Sequence, residues 1–151
     1  AFDEYLPKNS ESRCIAISIK LIKKNAPHIK WILSYSDATQ CGDGTIYRAS
    51  GFYLTGIKEN KTILEWDGKI IADKTLNNSN YKKLGISAGY AKKNGAKPLN
   101  GNQLRYIYLI HKECKISVPI LPFSKIDEMG AGMYKGQKIT IEQRKQNASI
   151  A

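Results

Sequence analysis

Residues 14–25 constrain the fold most, because their apolar pattern fits two different elements of secondary structure. Apolar residues alternate from residue 15 to residue 21, as they do in a half-buried strand. The same stretch places three isoleucines on one helical face, namely Ile15, Ile19 and Ile22. A length of about 12 residues, the polar residues in front and the lysines before Asn25 favour a helix that begins near Ser10 or Ser12.

A strand is predicted on each side of this helix. Residues 2–6 have the composition of the end of a strand closed by Pro7, and residues 29–36 have that of a buried strand. A helix that connects two strands in this order indicates a parallel pair. The chain is therefore expected to fold as a mixed α/β (α+β) protein.

The rest of the chain gives weaker patterns, apart from one turn. Asp67-Gly68, between apolar segments at residues 62–66 and 69–72, is the strongest hairpin signal in the sequence. The other predicted elements are a loop at 37–44, a short helix at 45–50 ended by Gly51, a strand at 52–57, a helix at 80–94 weakened by Gly85 and Gly89, and a strand at 104–110. We expect a single domain over residues 1–139 and a polar tail over residues 140–151.

The charge of the chain points to a polyanionic partner. The formal charge is +11, from 24 Lys and Arg against 13 Asp and Glu, and residues 58–115 hold 12 basic and 5 acidic residues. Nucleic acid is the commonest partner of such a field, although solvated lysines without a nucleic-acid role give the same count. Lysine outnumbers arginine, which argues against strong readout of base sequence.

Several classes of protein are disfavoured. No apolar run approaches the roughly 18 residues that a membrane span needs, and the first residues do not have the pattern of a signal peptide. The three cysteines, Cys14, Cys41 and Cys114, form no Cys-x-x-Cys pair, and the two histidines lack metal-ligand spacing, so no protein-only metal site is predicted. Glycine-rich and Walker nucleotide fingerprints are absent. These observations favour a cytoplasmic protein.

Two segments are candidates for chemistry. The run Lys8-Asn9-Ser10-Glu11-Ser12-Arg13 opens a helix after a strand, which presents backbone N–H groups, the helix dipole and two cationic side chains to a pyrophosphate. An ordinary capped helix start has the same composition. The second segment, Tyr47-x-x-x-Gly51-Phe52, places a tyrosine one turn before a helix-ending glycine.

Together these segments resemble the GNAT acyltransferase superfamily, with its order of strand, phosphate loop, helix, strand, short helix ending in Tyr-x-x-x-Gly-Phe, and strand. Asn9-Ser-Glu-Ser-Arg13 replaces the usual glycine-rich loop. A more specific set of motifs is similar to the Mom family of phage DNA-modification proteins, a divergent GNAT branch. These motifs are Pro7-Lys-Asn-Ser-Glu-Ser-Arg13, Ser34-Tyr-Ser-Asp37, Gly42-Asp-Gly-Thr-Ile-Tyr-Arg-Ala49, Thr55-Gly56, Leu104-Arg-Tyr-Ile-Tyr108 and Gly132-Met-Tyr-Lys-Gly136.

The resemblance implies a GNAT-like central twisted sheet with flanking helices, with N-terminal strands missing or trimmed and a basic insertion at about residues 58–101. It implies transfer of a carbamoylmethyl (acetamido-type) group to the exocyclic amine of adenine in double-stranded DNA, which protects phage DNA from restriction. Acetyl-CoA or another CoA thioester is the expected cofactor, held by the residues 8–13.

The same resemblance assigns roles to individual residues. Tyr47, Asp37 and Ser36 are the expected catalytic residues, with Tyr47 as proton donor and Asp37 as proton acceptor. Ser36, Asp37 and the loop at 42–44 are expected to line the target pocket. The expected DNA contacts are Lys82, Lys83, Lys92, Lys93 and Arg105.

Two other functions remain open on the sequence alone. A GNAT N-acetyltransferase that acts on a protein or small amine needs the same loop and tyrosine but no basic insertion. A noncatalytic nucleic-acid-binding module needs only the charge. Stabilisation of the protein by acetyl-CoA separates the two classes. The sequence does not identify the group donor, the participation of iron or another metal, or the oligomeric state.

Overall fold

The computed structural model describes residues 6–7, 9–39, 43–129, 133–134 and 137–138. They form helices and antiparallel strands, so the mixed α+β class predicted from the sequence is confirmed. The elements are α1 (Ser10–Asn25), β1 (Trp31–Asp37), α2 (Thr45–Ala49), β2 (Tyr53–Glu59), β3 (Ile63–Trp66), β4 (Lys69–Ala72), α3 (Asp73–Leu76), α4 (Ser79–Lys83), α5 (Ala88–Lys93), β5 (Lys97–Pro98), β6 (Asn102–Leu109), α6 (Ser124–Glu128), β7 (Met133–Tyr134) and β8 (Gln137–Lys138). No helix among the described residues has the length and apolar character needed to cross a bilayer.

The first sheet has the strand order β1-β6-β2, and β6 runs antiparallel to both neighbours. Trp31 of β1 and Tyr53 of β2 pair with Leu109 and Ile107 of β6, and the ladder of β2 is interrupted by a bulge after Leu54. The central strand, β6, comes after both of its neighbours in the chain, and both are distant from it in sequence.

Helix α1 packs on one face of the first sheet, and its prediction as a helix is confirmed. Ile19 is buried with Leu104 and Tyr106 in the core, and Ile15 packs against them. Ile17 points away and is 56% exposed, which fits helical rather than strand periodicity. Burial of each such aliphatic side chain contributes about 1.5–3 kcal/mol, so this face fixes the helix on the sheet.

Residues 60–101 lie between β2 and β6 and form a second sheet, β4-β3-β5, with three short helices. The ends of this segment meet, because the Asn60 N–H donates to the Gly101 carbonyl at 2.9 Å. Asp67 and Gly68 both have positive φ, 50° and 68°, as a two-residue hairpin turn requires, so the predicted hairpin is confirmed. The segment has its own buried cluster, formed by Leu64, Leu76, Ala91 and Ala96.

The predicted helix at residues 80–94 is wrong, because the structure contains two helices there, α4 and α5. Gly85 has a φ of 69°, a left-handed conformation that ends a helix. The Ser87 hydroxyl then begins α5 by accepting a hydrogen bond from the Tyr90 N–H at 3.1 Å. Two helices and three strands of the described residues were not predicted, since each is too short to show a periodic pattern; they are α3, α6, β5, β7 and β8.

The predicted parallel pair falls on residues 2–6, of which residues 2–5 lie outside the described part of the chain. The ladders that the structure describes are all antiparallel. The predicted tail at residues 140–151 also lies outside the described residues.

Candidate functional site

The first turn of α1 is the predicted pyrophosphate site. Asn9 occupies the N-cap position with a φ of 68°, and its side chain makes no capping hydrogen bond. The hydroxyls of Ser10 and Ser12 donate to the carbonyls of Pro7 and Asn9. The first turn of this 16-residue helix therefore has no side-chain cap from Asn9, although the N–H groups of Ser10 and Arg13 donate to the carbonyls of Pro7 and Asn9. Arg13 is exposed beside it.

A cleft of about 410 Å³ lies next to this turn, between α1, β1 and the residues around α2. Glu11 of the first turn and Tyr47 of α2 both line the cleft, so one residue of the predicted cofactor loop and the predicted acid share a cavity. Most other lining residues are apolar, and Cys14, Ser18 and Ser34 add polar atoms. Cys14, Ser18 and Ser34 were not predicted as site residues. For Cys14 and Ser18 the sequence held a signal, since both share one helical face with Glu11. Lys8 of the loop lies outside the described residues.

Tyr47 is held in a group of aromatic rings. Its ring centroid lies 5.3 Å from that of Phe52 and 5.2 Å from that of Tyr106. The ring is half-buried against the core, and none of the hydrogen bonds described for this part of the chain uses the Tyr47 hydroxyl. The ring of Tyr47 is therefore held by its aromatic contacts in a residue that lines the cleft.

Residues just before α2 position this tyrosine. Asp43 accepts hydrogen bonds at one carboxylate oxygen from the Thr45 N–H at 3.1 Å and from the Thr45 hydroxyl at 2.6 Å. The Tyr106 hydroxyl donates to the Asp43 carbonyl. Gly44 has a φ of 71°, and a Cβ there would lie 2.7 Å from the Tyr106 ring. Asp43, Gly44 and Tyr106 thus fix the start of α2, a role that the sequence analysis did not assign.

Ser36 and Asp37 lie next to each other at the end of β1, so their side chains point to opposite faces of the sheet. Ser36 is buried on the α1 side, while Asp37 is half-buried and accepts a hydrogen bond from the Thr39 N–H at 2.9 Å. Neither residue lines the cleft that contains Tyr47. Gly42, expected in the same pocket, lies outside the described residues.

The four lysines predicted to contact DNA are exposed and fall in two pairs, each in the last turn of a short helix. None of the four forms an ion pair within the described residues. They are Lys82 and Lys83 of α4 and Lys92 and Lys93 of α5. Their charges also complement the carboxyl ends of those helices, which is a structural role compatible with phosphate contact.

Arg105 differs from these lysines because its guanidinium is tied to the neighbouring strand. Its Nε donates to the Thr55 hydroxyl at 3.1 Å and its Nη2 donates to the Thr55 carbonyl at 2.9 Å. Arg105 therefore stabilises the bulge in β2 in addition to any external contact. Among the described residues no three His, Cys, Asp or Glu side chains gather as ligands of a metal ion would.

The start of α1, the cleft and the four exposed lysines of α4 and α5 all lie in a region that matches a known family. Residues 1–125 match the model of the Mom protein family. The chain belongs to the Mom protein family. A curated Mom relative, the methylcarbamoylase mom of Escherichia phage Mu, is 34% identical over 113 residues. This match covers 73% of the present chain and 45% of the relative. The resemblance to the Mom family, predicted from the motifs, is thereby confirmed.

Proposed function

We propose that this Mom-family chain carries the transfer site of an enzyme that attaches a carbamoylmethyl (acetamido-type) group to the exocyclic amine of adenine in DNA. The observation that carries the proposal is the cleft that Tyr47 and the first turn of α1 share, in a chain of this family. The name of the phage Mu relative, a methylcarbamoylase, agrees with a transferred group of this kind. The order of helix, strand, short helix and strand from α1 onward supports a GNAT-like arrangement.

The proposed group donor is acetyl-CoA or another CoA thioester. Such a donor would supply an activated acyl carbon and a thiolate leaving group. Attack of the adenine amine on that carbon forms an N-acetyl group, so a carbamoylmethyl group, which is bonded through its methylene carbon and carries an amide nitrogen, needs a nitrogen donor and a two-electron oxidant besides the thioester. The first turn of α1 fits its pyrophosphate, because Asn9 leaves the helix amides without a side-chain cap and Arg13 adds a full charge. The mostly apolar cleft next to this turn fits an uncharged acyl group.

Tyr47 is the proposed proton donor to the departing thiolate. Its ring has contacts on Phe52 and Tyr106, so the direction of the C–O bond is restricted. Tyr47 lines a cavity whose other walls are mainly apolar, where a hydrogen bond from its hydroxyl to a developing anion would be stronger than in water. A positioned general acid contributes about 10²–10⁴-fold to a reaction rate.

The exocyclic amine of adenine is a weaker nucleophile than an alkyl amine, because its lone pair is delocalised into the ring. The site must hold the base in place and accept a proton. Asp37, the acceptor expected from the sequence, lies on the face of β1 away from α1 and does not line the cleft, so no proton acceptor is assigned within the cleft. Ser36 is buried on the α1 side of β1 and does not line the cleft either. The base must leave the duplex, at a cost of a few kcal/mol that phosphate contacts by the exposed lysines offset.

The test of this function is mass spectrometry of nucleosides from DNA of cells that express the protein. We expect a modified adenosine with the wild-type chain and a fall of about 10²-fold or more in turnover with Tyr47→Phe. The phenylalanine keeps both ring contacts, so the melting temperature should change little. A stable Tyr47→Phe protein with wild-type modification would contradict the role of Tyr47.

A matched control comes from the same group of rings. Tyr108 contacts Phe52 at 5.2 Å between centroids but is not among the residues that line the cleft. Tyr108→Phe should therefore leave both modification and stability near the wild-type values. Equal losses in Tyr47→Phe and Tyr108→Phe would indicate that the aromatic packing, and not the proton of Tyr47, is needed.

The same preparation separates the two alternative functions. An unaltered adenosine profile contradicts DNA modification. In that case, consumption of acetyl-CoA with a protein or a small amine indicates an N-acetyltransferase. Binding of DNA without stabilisation by acetyl-CoA and without turnover indicates a noncatalytic module.

A further inference from the structure

The first sheet has a second face, on the side away from α1, whose large side chains are exposed. Successive residues of a strand point to opposite faces, so the odd-numbered residues of β1 lie on this side. We name it the open face. It includes Trp31, Leu33 and Tyr35 of β1, Tyr53 of β2 and Arg105 of β6. We propose that the open face binds unpaired nucleobases of DNA, an inference that rests on the proposed function for the choice of DNA.

The exposure of the open face is unusual for side chains of this type. Trp31 is 53% exposed, Tyr35 49%, Tyr53 44% and Leu33 40%. All four sit in regular strands with defined cross-strand partners, and not in loops. A contiguous exposed apolar patch on a folded protein usually marks a binding surface. The open face therefore has the character of a binding surface in the described part of the chain.

The spacing of the three rings suits nucleobases. Trp31 and Tyr35 are four residues apart on β1, which is about 13 Å. Tyr53 pairs with Ile107, which also pairs with Leu33, so Tyr53 stands two strands away, at about 10 Å from Leu33. In RNA-recognition modules, exposed aromatic rings on a four-stranded antiparallel sheet stack two or three bases of a single strand, and the open face presents rings in a comparable way.

The charges of the open face favour a polyanion. Arg105 pairs in register with Tyr35, and its two hydrogen bonds to Thr55 hold the guanidinium in place. A fixed guanidinium beside an exposed ring offers a second stacking plane and a phosphate contact. Lys58 of β2 is exposed on the same side, and the whole chain carries a charge of +11. Asp37 lies on the same face and adds one negative charge there.

A second copy of the chain suits the open face less well. In a symmetric dimer through this face, each side chain lies near the same residue of the other copy or near its neighbours. The two Arg105 guanidinium groups would then approach each other. Each copy also adds the same positive charge. Unpaired bases match the face better, because they bring flat rings for stacking and phosphates for the cations. Bases inside a duplex cannot stack on it, and transfer to an adenine amine requires at least one base to leave the duplex.

Tryptophan fluorescence reports directly on this face. The chain has two tryptophans, Trp31 and Trp66, and the indole of Trp66 donates to the Asn94 carbonyl in the separate segment 60–101. Trp66→Phe therefore leaves Trp31 as the single reporter. We expect a short oligodeoxythymidylate to quench its emission strongly and a duplex of the same length to quench it little. In the reciprocal variant Trp31→Phe, the emission of Trp66 should change little. Saturable DNA binding with no change at Trp31 would overturn the inference.

A series at Tyr35 separates stacking from simple apolar contact. Tyr35→Phe keeps the ring, Tyr35→Leu keeps an apolar side chain without the ring, and Tyr35→Ala removes both. Stacking predicts wild-type affinity for the oligonucleotide with Phe and affinity weaker by about tenfold with Leu and Ala. Equal affinity with Leu and Tyr would refute base stacking. The side chain is half-exposed, so all three variants should keep the wild-type melting temperature.

Three further outcomes complete the test. Sedimentation that shows a dimer in which Trp31 is protected from acrylamide would assign the open face to a second copy, and would overturn the inference. Modified adenosine in cells together with an unresponsive Trp31 contradicts this inference alone. Quenching of Trp31 by single-stranded DNA without any modified adenosine supports the inference and contradicts the proposed function.

Discussion

Gly101 is the residue at which a single added methyl group should do the most damage. It closes the segment 60–101 on β6, and a Cβ built there would lie 2.0 Å from the Thr39 Oγ1, 2.6 Å from the Thr39 Cβ and 2.8 Å from the Thr39 Cα. Carbon atoms pack at about 3.5–4.0 Å, so Gly101→Ala forces Thr39 to move by roughly 1 Å.

Thr39 has little freedom to make that movement. It is 5% exposed, and its N–H donates to the Asp37 carboxylate at 2.9 Å. The preceding N–H, that of Ala38, donates to the Asn102 carbonyl at 2.8 Å. Overpacking at a buried site costs about 1–3 kcal/mol, and these tethers put Gly101→Ala near the upper value. For a chain of this size, about 3 kcal/mol corresponds to a fall of about 6–12 °C in melting temperature.

Thermal unfolding measures this effect, and two further variants control it. Gly89→Ala adds the same methyl group in α5, where the nearest atom is the Ser87 hydroxyl oxygen at 3.7 Å, and should stabilise the helix by about 0.5–1 kcal/mol. In Gly101→Ala combined with Thr39→Gly, the closest side-chain atoms are gone, so the two changes should couple by at least about 1 kcal/mol. A melting temperature of Gly101→Ala within 1–2 °C of the wild type, or strict additivity in the pair, would refute the steric reasoning.

The remaining predictions concern the ligands and one carboxyl group. Changing the four exposed lysines to Gln should weaken DNA binding and reduce the slope of log affinity against log salt concentration by up to about 3–4. Fluorescence anisotropy at several salt concentrations measures this slope. An unchanged slope would exclude the lysines as phosphate contacts. These lysines are Lys82, Lys83, Lys92 and Lys93. Arg13→Ala should weaken CoA binding roughly tenfold by calorimetry without lowering the melting temperature, and unchanged affinity would remove Arg13 from the cofactor site. The hydrogen bond from the Lys125 ammonium holds the pKa of Glu128 below its ordinary value of 4.5. This pair should therefore add stability above that value and lose it as the pH falls, and a carboxyl titration by NMR that is unaffected by Lys125→Gln would contradict the cause.

The sequence predicted those parts of the fold that depend on near neighbours. Asp67-Gly68 specifies its turn because few other residue pairs adopt positive φ at both positions. Gly51 ends α2 with a φ of 78° for a similar reason. Helix α1 was predicted from its length and flanking residues, and its isoleucine face packs as expected. Each of these features is decided within a few residues.

The predictions that failed or were missing depend on residues far apart in the chain. Nothing local in β6 indicates that it lies between β1 and β2, since this order is set by burial of Leu104 and Tyr106 under α1. The helix at 80–94 was predicted from composition, although the conformation of Gly85 divides it.

The candidate site was predictable to the same degree. Motifs identified the start of α1 and Tyr47, but the contact of the Tyr106 hydroxyl with the Asp43 carbonyl joins residues that are distant in sequence. The opposite orientation of Ser36 and Asp37 follows from strand alternation, and the sequence already contained that signal.

The junction between Asn60 and Gly101 has a consequence for the dynamics and the evolution of the molecule. Because the segment 60–101 leaves and rejoins the β2–β6 pair at one point, it can open without breaking that pair. Its buried cluster is small, so its amides should exchange with solvent as a cooperative unit of lower stability than the first sheet. Insertions or deletions within this unit should therefore leave the register of β2 on β6, and with it the placement of the cleft, unchanged.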